Sequence, residues 1–265
     1  MRFSPLHPAG QKRKVNKVKN LLQGLFQSGS KGLAWLIDPE KEFFLDDFGW
    51  IAHSGLDLIL IGGSTGDFLK LDNLIRSIRT KSGNIPICIF PGSQHQISPE
   101  ADAILFLSLI SGRNPEFLIG KQVEAAEEVA QSGLEVLPTA YILVNDGEIL
   151  AVHAVSQTLP LINSQVELIG QTALAGKLMG MKYFFLDAGS GAKGPVQKQV
   201  IQHVKAKVDC PVMVGGGLDT PAKVRETFEA GADLAVIGNG AEKNPGFLAE
   251  VLQWKQWYNH SLNIN

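Results

Sequence analysis

Only two cysteines occur in 265 residues, Cys88 and Cys210. That is too few for a disulfide framework, and the chemistry expected is that of buried, reduced thiols. No apolar run approaches the roughly 18 residues that a spanning helix needs. The first residues, MRFSPLHPAGQKRKVNK, carry no apolar stretch of the kind that leads a chain to export. A cytoplasmic protein is therefore expected. There is also no excess of positive charge: 24 basic against 26 acidic side chains leave a net charge of −2. A general nucleic-acid binder needs a basic surface to displace counterions, so that class is set aside. The six histidines show no metal-ligand spacing.

What the chain does have is glycine, 28 residues, and a recurring alternation of short apolar runs with amphipathic segments. Leu33–Ile37, Leu58–Ile61, Pro86–Phe90, Ala103–Leu107, Val136–Val144, Tyr183–Leu186, Pro211–Val214 and Leu234–Ile237 read as strands. Nearly all are continuously hydrophobic, as parallel strands covered on both faces require. Phe43–Ser54, Phe68–Lys81, Pro115–Gln131, Gln165–Met179, Pro195–Lys207, Thr220–Ala230 and Gly246–Tyr258 carry apolar residues at helical spacing. Pro115, Pro195 and Pro221 fall where a first helical turn tolerates proline. Eight strand–helix repeats predict an α/β fold, a (β/α)8 TIM-type barrel in one domain over 1–265. Its parts are an N-terminal extension (1–31), the barrel (32–258) and a short tail (259–265).

Two connections break the repeat. Only twelve residues separate Phe90 from Ala103, barely enough for a full helix and two loops, so the third helix is expected to be missing or reduced to a turn. The connection Asn145–Pro160 is long and holds an apolar segment of its own, expected as an extra helix or hairpin at the mouth. Residues 12–19 (KRKVNKVK) carry five positive charges and run into LLQGLF. They predict an amphipathic helix that closes the barrel bottom, with a transient membrane-surface contact as the alternative. Trp254 and Trp257 are read as core packing, with an oligomer contact as the alternative.

Barrels of this type place their chemistry at the C-terminal ends of the strands. LDAGSGAKG, VGGGL and IGNGA follow the last three strands. Glycines there let backbone amides approach a phosphate. Asn239 between two glycines suits a phosphate or a hydroxyl, or caps a helix. Across the mouth, Asp38 ends the first strand and Ser64 follows the second. Both are hard oxygen donors of the kind Mg2+ takes one or two at a time, leaving positions for water and substrate phosphates. Asp187 ends the sixth strand and is a candidate to bind a substrate hydroxyl. His95, in the short third loop, is within reach of a second phosphate group.

Taken together, LIDPEK, IGGST, FPGS, AILFLSLISGRNPEFLIG, LDAGSGA, VGGGL and IGNGAE resemble the geranylgeranylglyceryl phosphate synthase family, which includes the bacterial heptaprenylglyceryl phosphate synthases. The resemblance spans about Leu33 to Glu242. It implies a prenyltransferase, a transferase of alkyl groups other than methyl. In such an enzyme the 3-hydroxyl of sn-glycerol 1-phosphate attacks a prenyl diphosphate. It further implies Mg2+ on Asp38 and Ser64, and glycerol 1-phosphate held by Phe185, Leu186, Asp187, Ala188, Gly189, Ser190, Gly191, Gly216, Gly217, Gly238 and Asn239. Asp187 is the implied catalytic residue, and the implied assembly is a homo-oligomer, dimer or hexamer. Many members read Tyr-Leu-Glu-Ala-Gly where this chain has Phe185-Leu186-Asp187-Ala188-Gly189, so a phenol is missing unless Tyr183 supplies it. The N-terminal extension and Leu36, where some archaeal members carry Lys, resemble the second of the family's two subgroups, with geranylgeranyl diphosphate as donor. Other phosphate-binding barrels, a sugar-phosphate isomerase or a thiamine-phosphate-type synthase, are the alternative enzymes. A barrel that only binds a phosphometabolite is the non-enzymatic alternative.

Overall fold

The computed structural model describes residues 16–40, 51–63, 68–238 and 245–262. Eight parallel strands close into a barrel. They are β1 (Gly32–Ile37), β2 (Leu58–Ile61), β3 (Ile87–Ile89), β4 (Ala103–Leu109), β5 (Glu135–Asn145), β7 (Tyr183–Asp187), β8 (Val212–Gly215) and β9 (Leu234–Ile237). Closure comes from the β4–β5 and β1–β9 ladders. All eight expected runs are strands. Both faces are buried because the inner faces fill the barrel and the outer faces meet helices. A two-residue strand, β6 (Leu161–Ile162), pairs only with the end of β5.

Around the barrel stand α2 (Phe68–Arg79), α3 (Lys121–Gln131), α5 (Val166–Leu178), α6 (Lys198–Val208), α7 (Pro221–Glu229) and α8 (Pro245–Leu262). A single π turn, Glu116–Gly120, leads into α3. The expected helix at Phe43–Ser54 falls mostly outside the described residues; its end forms a 3-10 turn, Ile51–His53. Two helix ends differ from expectation by three residues or more. Pro195 is not in a first helical turn: α6 starts at Lys198, because the Gln197 amide, in extended backbone, is held by Asn163 Oδ1 at 3.0 Å. The last helix runs past 258, because Asn259 bonds the Lys31 amide and carbonyl at 2.7 and 2.9 Å and so belongs to the barrel. Trp254 stacks between Phe228 and Tyr258, whereas Trp257 is exposed.

The bottom of the barrel is closed by α1 (Lys17–Ser28), the basic segment's continuation. Its face Val18, Leu22 and Leu25 joins the interior layer of Ala34, Leu58 and Leu234. Glu135, at the start of β5, caps this helix from 117 residues away: its Oε2 accepts from the Val18 and Lys19 amides at 3.1 and 3.0 Å. Burial raises the Glu135 carboxyl above its ordinary pKa, and these amides pull it back.

The missing third helix is observed. Residues 90–102 form turns, with Ile97 buried against the outer core and Gln96 Oε1 bonded to the Gly92 amide at 2.8 Å. The long fifth connection contains a short helix, α4 (Ala151–Ser156), at the mouth. Among the described residues no helix is long and apolar enough to cross a membrane.

Candidate active site

A cavity of about 710 Å3 opens at the C-terminal ends of the strands and continues sideways through the gap left by the absent helix. Its polar end is walled by Asp38, Gly63, Asp187, Ser190, Gly191, Gly216, Gly217 and Gly238. Its apolar arm is walled by Ile97, Ile104, Phe106, Phe117, Ala125 and Val129. Lys121 and Val129 are eight residues apart on α3, so this arm follows the helix for about 12 Å at 1.5 Å per residue. Lys121 is the one basic side chain on the cavity wall among the described residues.

Asp187 ends β7, where a strand's alternation turns its side chain inward. Its Oδ2 accepts from the Tyr141 hydroxyl at 2.6 Å, and its Oδ1 from the Gly189 amide at 2.7 Å. Burial pushes its carboxyl above the ordinary value, while the Tyr141 hydroxyl, the Gly189 amide and the nearby His153 pull the other way. Burial and the Asp187 charge in turn hold the Tyr141 phenol well above its usual pKa, so it is a donor at neutral pH. Tyr141 and Phe185 face each other in the β5–β7 register and form, with Phe90, an aromatic floor with centroids 5.3 to 5.7 Å apart.

This geometry corrects one expectation. Tyr183 does not replace the phenol missing at 185. It lies a layer lower in the barrel, where burial and the charge of Glu135 raise its pKa to about 12. The hydroxyl comes from Tyr141 on the neighbouring strand. The signal was present in the sequence: Tyr141 has the same inward parity as Leu137 and Leu143 in the fifth apolar run.

Of the other expected residues, Leu186 and Ala188 turn outward into the layer beneath α5 and α6, so only their backbone is near the mouth. Gly189 supports Asp187 and packs beneath Leu150. Ser64 and Asn239 lie outside the described residues. His95 is exposed and 3.0 Å from Gln94 Nε2. Among the described residues the amides of Gly191, Gly216 and Gly217 donate to no protein acceptor, which suits an anion. Gly216 has φ +77°, and a Cβ there would lie 2.6 Å from the Gly189 nitrogen and 2.7 Å from Asp187 Oδ1. The two glycine loops and the carboxylate therefore interlock.

At the other side of the polar end, Asp38 Oδ1 accepts from the Glu40 amide at 3.0 Å. A Cβ at Gly63 would lie 2.7 Å from that oxygen, so the carboxylate sits directly over the end of β2. The donor is a hard oxygen on a cavity wall, next to the position from which Ser64 follows. That chemistry fits a divalent cation that keeps most of its shell for water and phosphate.

Above the Asp187 turn lies α4. Asn145 Nδ2 holds the Ala188 carbonyl at 3.2 Å, and His153, buried, accepts the Leu150 amide on Nδ1 at 3.0 Å. Burial lowers the His153 pKa, which favours its neutral form.

Comparison with known proteins agrees with this architecture. Residues 31–254 match the model of the PcrB family. A geranylgeranylglyceryl phosphate synthase from Spirosoma linguale is 41% identical over 238 residues, covering 89% of this chain and 95% of its own. One from Pyrococcus abyssi is 40% identical over 234 residues, covering 86% and 91%. Among solved structures, the (S)-3-O-geranylgeranylglyceryl phosphate synthase of Thermoplasma acidophilum, in complex with its substrate sn-glycerol-1-phosphate, superposes with a TM-score of 0.81. It is 33% identical and covers 88% of this chain and 96% of its own. A thiamine phosphate pyrophosphorylase from Pyrococcus furiosus, 14% identical with a TM-score of 0.56, shares the fold alone.

Proposed function

The chain belongs to the PcrB family, and on that premise we propose that it is a prenyltransferase joining the 3-hydroxyl of sn-glycerol 1-phosphate to the first carbon of a prenyl diphosphate. The observation that carries this reading is the shape of one cavity. A polar end, with glycine amides that meet no acceptor among the described residues and a buried carboxylate, runs directly into an apolar arm along α3. A sugar-phosphate isomerase would have no use for the apolar arm. The relatives named above as geranylgeranylglyceryl phosphate synthases support it as well.

In this reading the amides of Gly191, Gly216 and Gly217, with Phe185–Gly191 as a whole, Gly238 and Asn239, hold glycerol 1-phosphate. Asp187 accepts a hydrogen bond from the 3-hydroxyl. As the hydroxyl oxygen forms its bond to the prenyl carbon, the bond from that carbon to the diphosphate oxygen breaks. The diphosphate leaves with the electron pair, and the hydroxyl proton passes to Asp187. The raised pKa of Asp187 makes it the stronger base, and Tyr141 keeps it oriented and ionised. The gain is mostly positional: two reactants are held in line with water excluded. Mg2+ is the proposed cofactor, held by Asp38 and Ser64, and when bound it supplies positive charge that offsets the diphosphate's. The apolar arm takes the prenyl tail, with geranylgeranyl diphosphate as the proposed donor. A homo-oligomer, dimer or hexamer, in the cytoplasm completes the proposal.

The test is incubation with sn-glycerol 1-phosphate, Mg2+ and prenyl diphosphates of graded length, with product mass as the readout. A single ether product, largest in yield with the twenty-carbon donor, is expected. Absence of product with every donor overturns the reading.

A further inference from the structure

The segment standing in for the third helix, residues 90–97, leads from one end of the cavity to the other. Phe90 packs in the aromatic floor with Tyr141 and Phe185, and Ile97 lies on the wall of the apolar arm. Between them Gly92, Ser93 and Gln94 also wall the cavity. At its start the segment is fixed to the end of β2: the Phe90 amide donates to the Ile61 carbonyl at 2.9 Å, and a Cβ at Gly62 would collide with the Phe90 carbonyl. A Cβ at the next residue, Gly63, would meet the Asp38 carboxylate. The Asp38 corner, the Gly62-Gly63 pair and the turn are therefore successive neighbours across β1, β2 and β3.

The turn carries free donors. Among the described residues the amides of Ser93 and Gln94 meet no acceptor, and the Ser93 hydroxyl meets no partner. Gln96, fully buried, shapes the turn from behind: its Oε1 accepts from the Gly92 amide at 2.8 Å, and its Nε2 has no acceptor. Two successive free amides with a hydroxyl beside them suit an anion. We infer that this turn is a second phosphate cradle, separate from the amides of Gly191, Gly216 and Gly217, and that it takes the terminal phosphate of the donor's diphosphate. The inference rests on the prenyl-donor reading above. A donor whose tail lies in the apolar arm has its head group where that arm meets the polar end, and residues 90–97 wall both. The neighbouring Asp38 carboxylate would repel a bare diphosphate, so the cradle works with a divalent cation between them. His95 is not on the cavity wall, so the contacts come from backbone amides and Ser93 rather than from an imidazole.

The test is calorimetric titration of the full-length protein with inorganic diphosphate in the presence of Mg2+, beside the variants Ser93→Ala, Ser93→Asp and Ser93→Thr. The Ser93 side chain bonds to nothing among the described residues, so all three variants should keep the parent's melting temperature. The parent is expected to bind diphosphate, Ser93→Ala to bind it roughly tenfold more weakly, and Ser93→Thr, which keeps the hydroxyl, to bind like the parent. Ser93→Asp sets a carboxylate against the anion and should lose more than Ser93→Ala. The KM for the prenyl donor should follow the same order, while the affinity for glycerol 1-phosphate stays at the parent's value. The inference is overturned if the parent does not bind diphosphate, or if Ser93→Ala or Ser93→Asp binds it as tightly as the parent. It is also overturned if the variants lose glycerol 1-phosphate in place of diphosphate. Diphosphate binding needs no turnover, so a parent that binds it, with variants that weaken it, but that forms no ether with any donor overturns the proposed reaction and leaves the cradle.

Discussion

The Tyr141 hydroxyl donates to Asp187 Oδ2 at 2.6 Å, across the ladder between β5 and β7 and beneath the glycine loops of the mouth. Among the described residues this pair brings the one phenol on the cavity wall to the one carboxylate there that is both buried and raised in pKa. The carboxylate and the phenol it accepts from thus stand on neighbouring strands.

Replacing Asp187 by Asn should lower turnover by on the order of 10²–10⁴, the range of a positioned base. Its carboxyl pKa lies above the ordinary 3.8, so in the parent the rate should fall as pH drops through that raised value. The acid limb should vanish in Asp187→Asn. A pH–rate profile of kcat/KM checks this, and an unchanged limb assigns the proton to another acceptor.

Tyr141→Phe removes the donor that pulls the Asp187 pKa down. The acid limb should therefore move to higher pH, with the turnover of a well-ionised enzyme recovered partly in mild alkali. A purely structural role for Tyr141 would lower activity without moving the limb.

Asp38→Asn should leave the melting temperature unchanged and raise the Mg2+ concentration needed for half-maximal turnover. Among the described residues the Asp38 carboxylate accepts from the Glu40 amide, a bond that an amide oxygen can take over. Identical Mg2+ titrations for parent and variant would remove Asp38 from the metal site.

Gly216→Ala places a Cβ against the Gly189 nitrogen and Asp187 Oδ1, at a φ of +77°. The backbone cost is about 1–2 kcal/mol. The KM for glycerol 1-phosphate should rise tenfold or more, and that for the prenyl donor far less. A larger rise for the donor would exchange the two phosphate sites.

Glu135→Ala leaves the Val18 and Lys19 amides without their acceptor at the buried end of α1. The expected loss is about 1–3 kcal/mol of stability, read as a lower denaturant midpoint. Turnover of the folded enzyme should be unaffected, because Glu135 lies at the end of the barrel opposite the mouth. An unchanged midpoint would mean that apolar contacts alone dock α1.

Much of the barrel was legible because its signals are local. The continuous run Val136–Val144 can only be buried on both faces. Twelve residues between Phe90 and Ala103 leave barely enough chain for a helix with two loops, and Thr220-Pro221 starts one where the pattern put it, with Thr220 accepting the Lys223 amide. The glycine loops and Asp38 were legible for the same reason: their position relative to a strand end is a matter of a few residues. The start of α6 was misread because the Asn163 side chain that holds Gln197 comes from 34 residues earlier.

The sequence by itself determined which segments are strands and helices, which ends carry glycine and carboxylate, and where a helix is absent. Those choices depend on side-chain periodicity and backbone sterics over a few residues. Only the closed barrel decided that Tyr141 and not Tyr183 serves Asp187, that Glu135 caps a helix 117 residues away, and that the gap beside β4 becomes the arm of the cavity. The register between β5 and β7, and the closure of β4 onto β5, set the height of each side chain in the barrel. No short stretch of sequence contains both partners of those pairings.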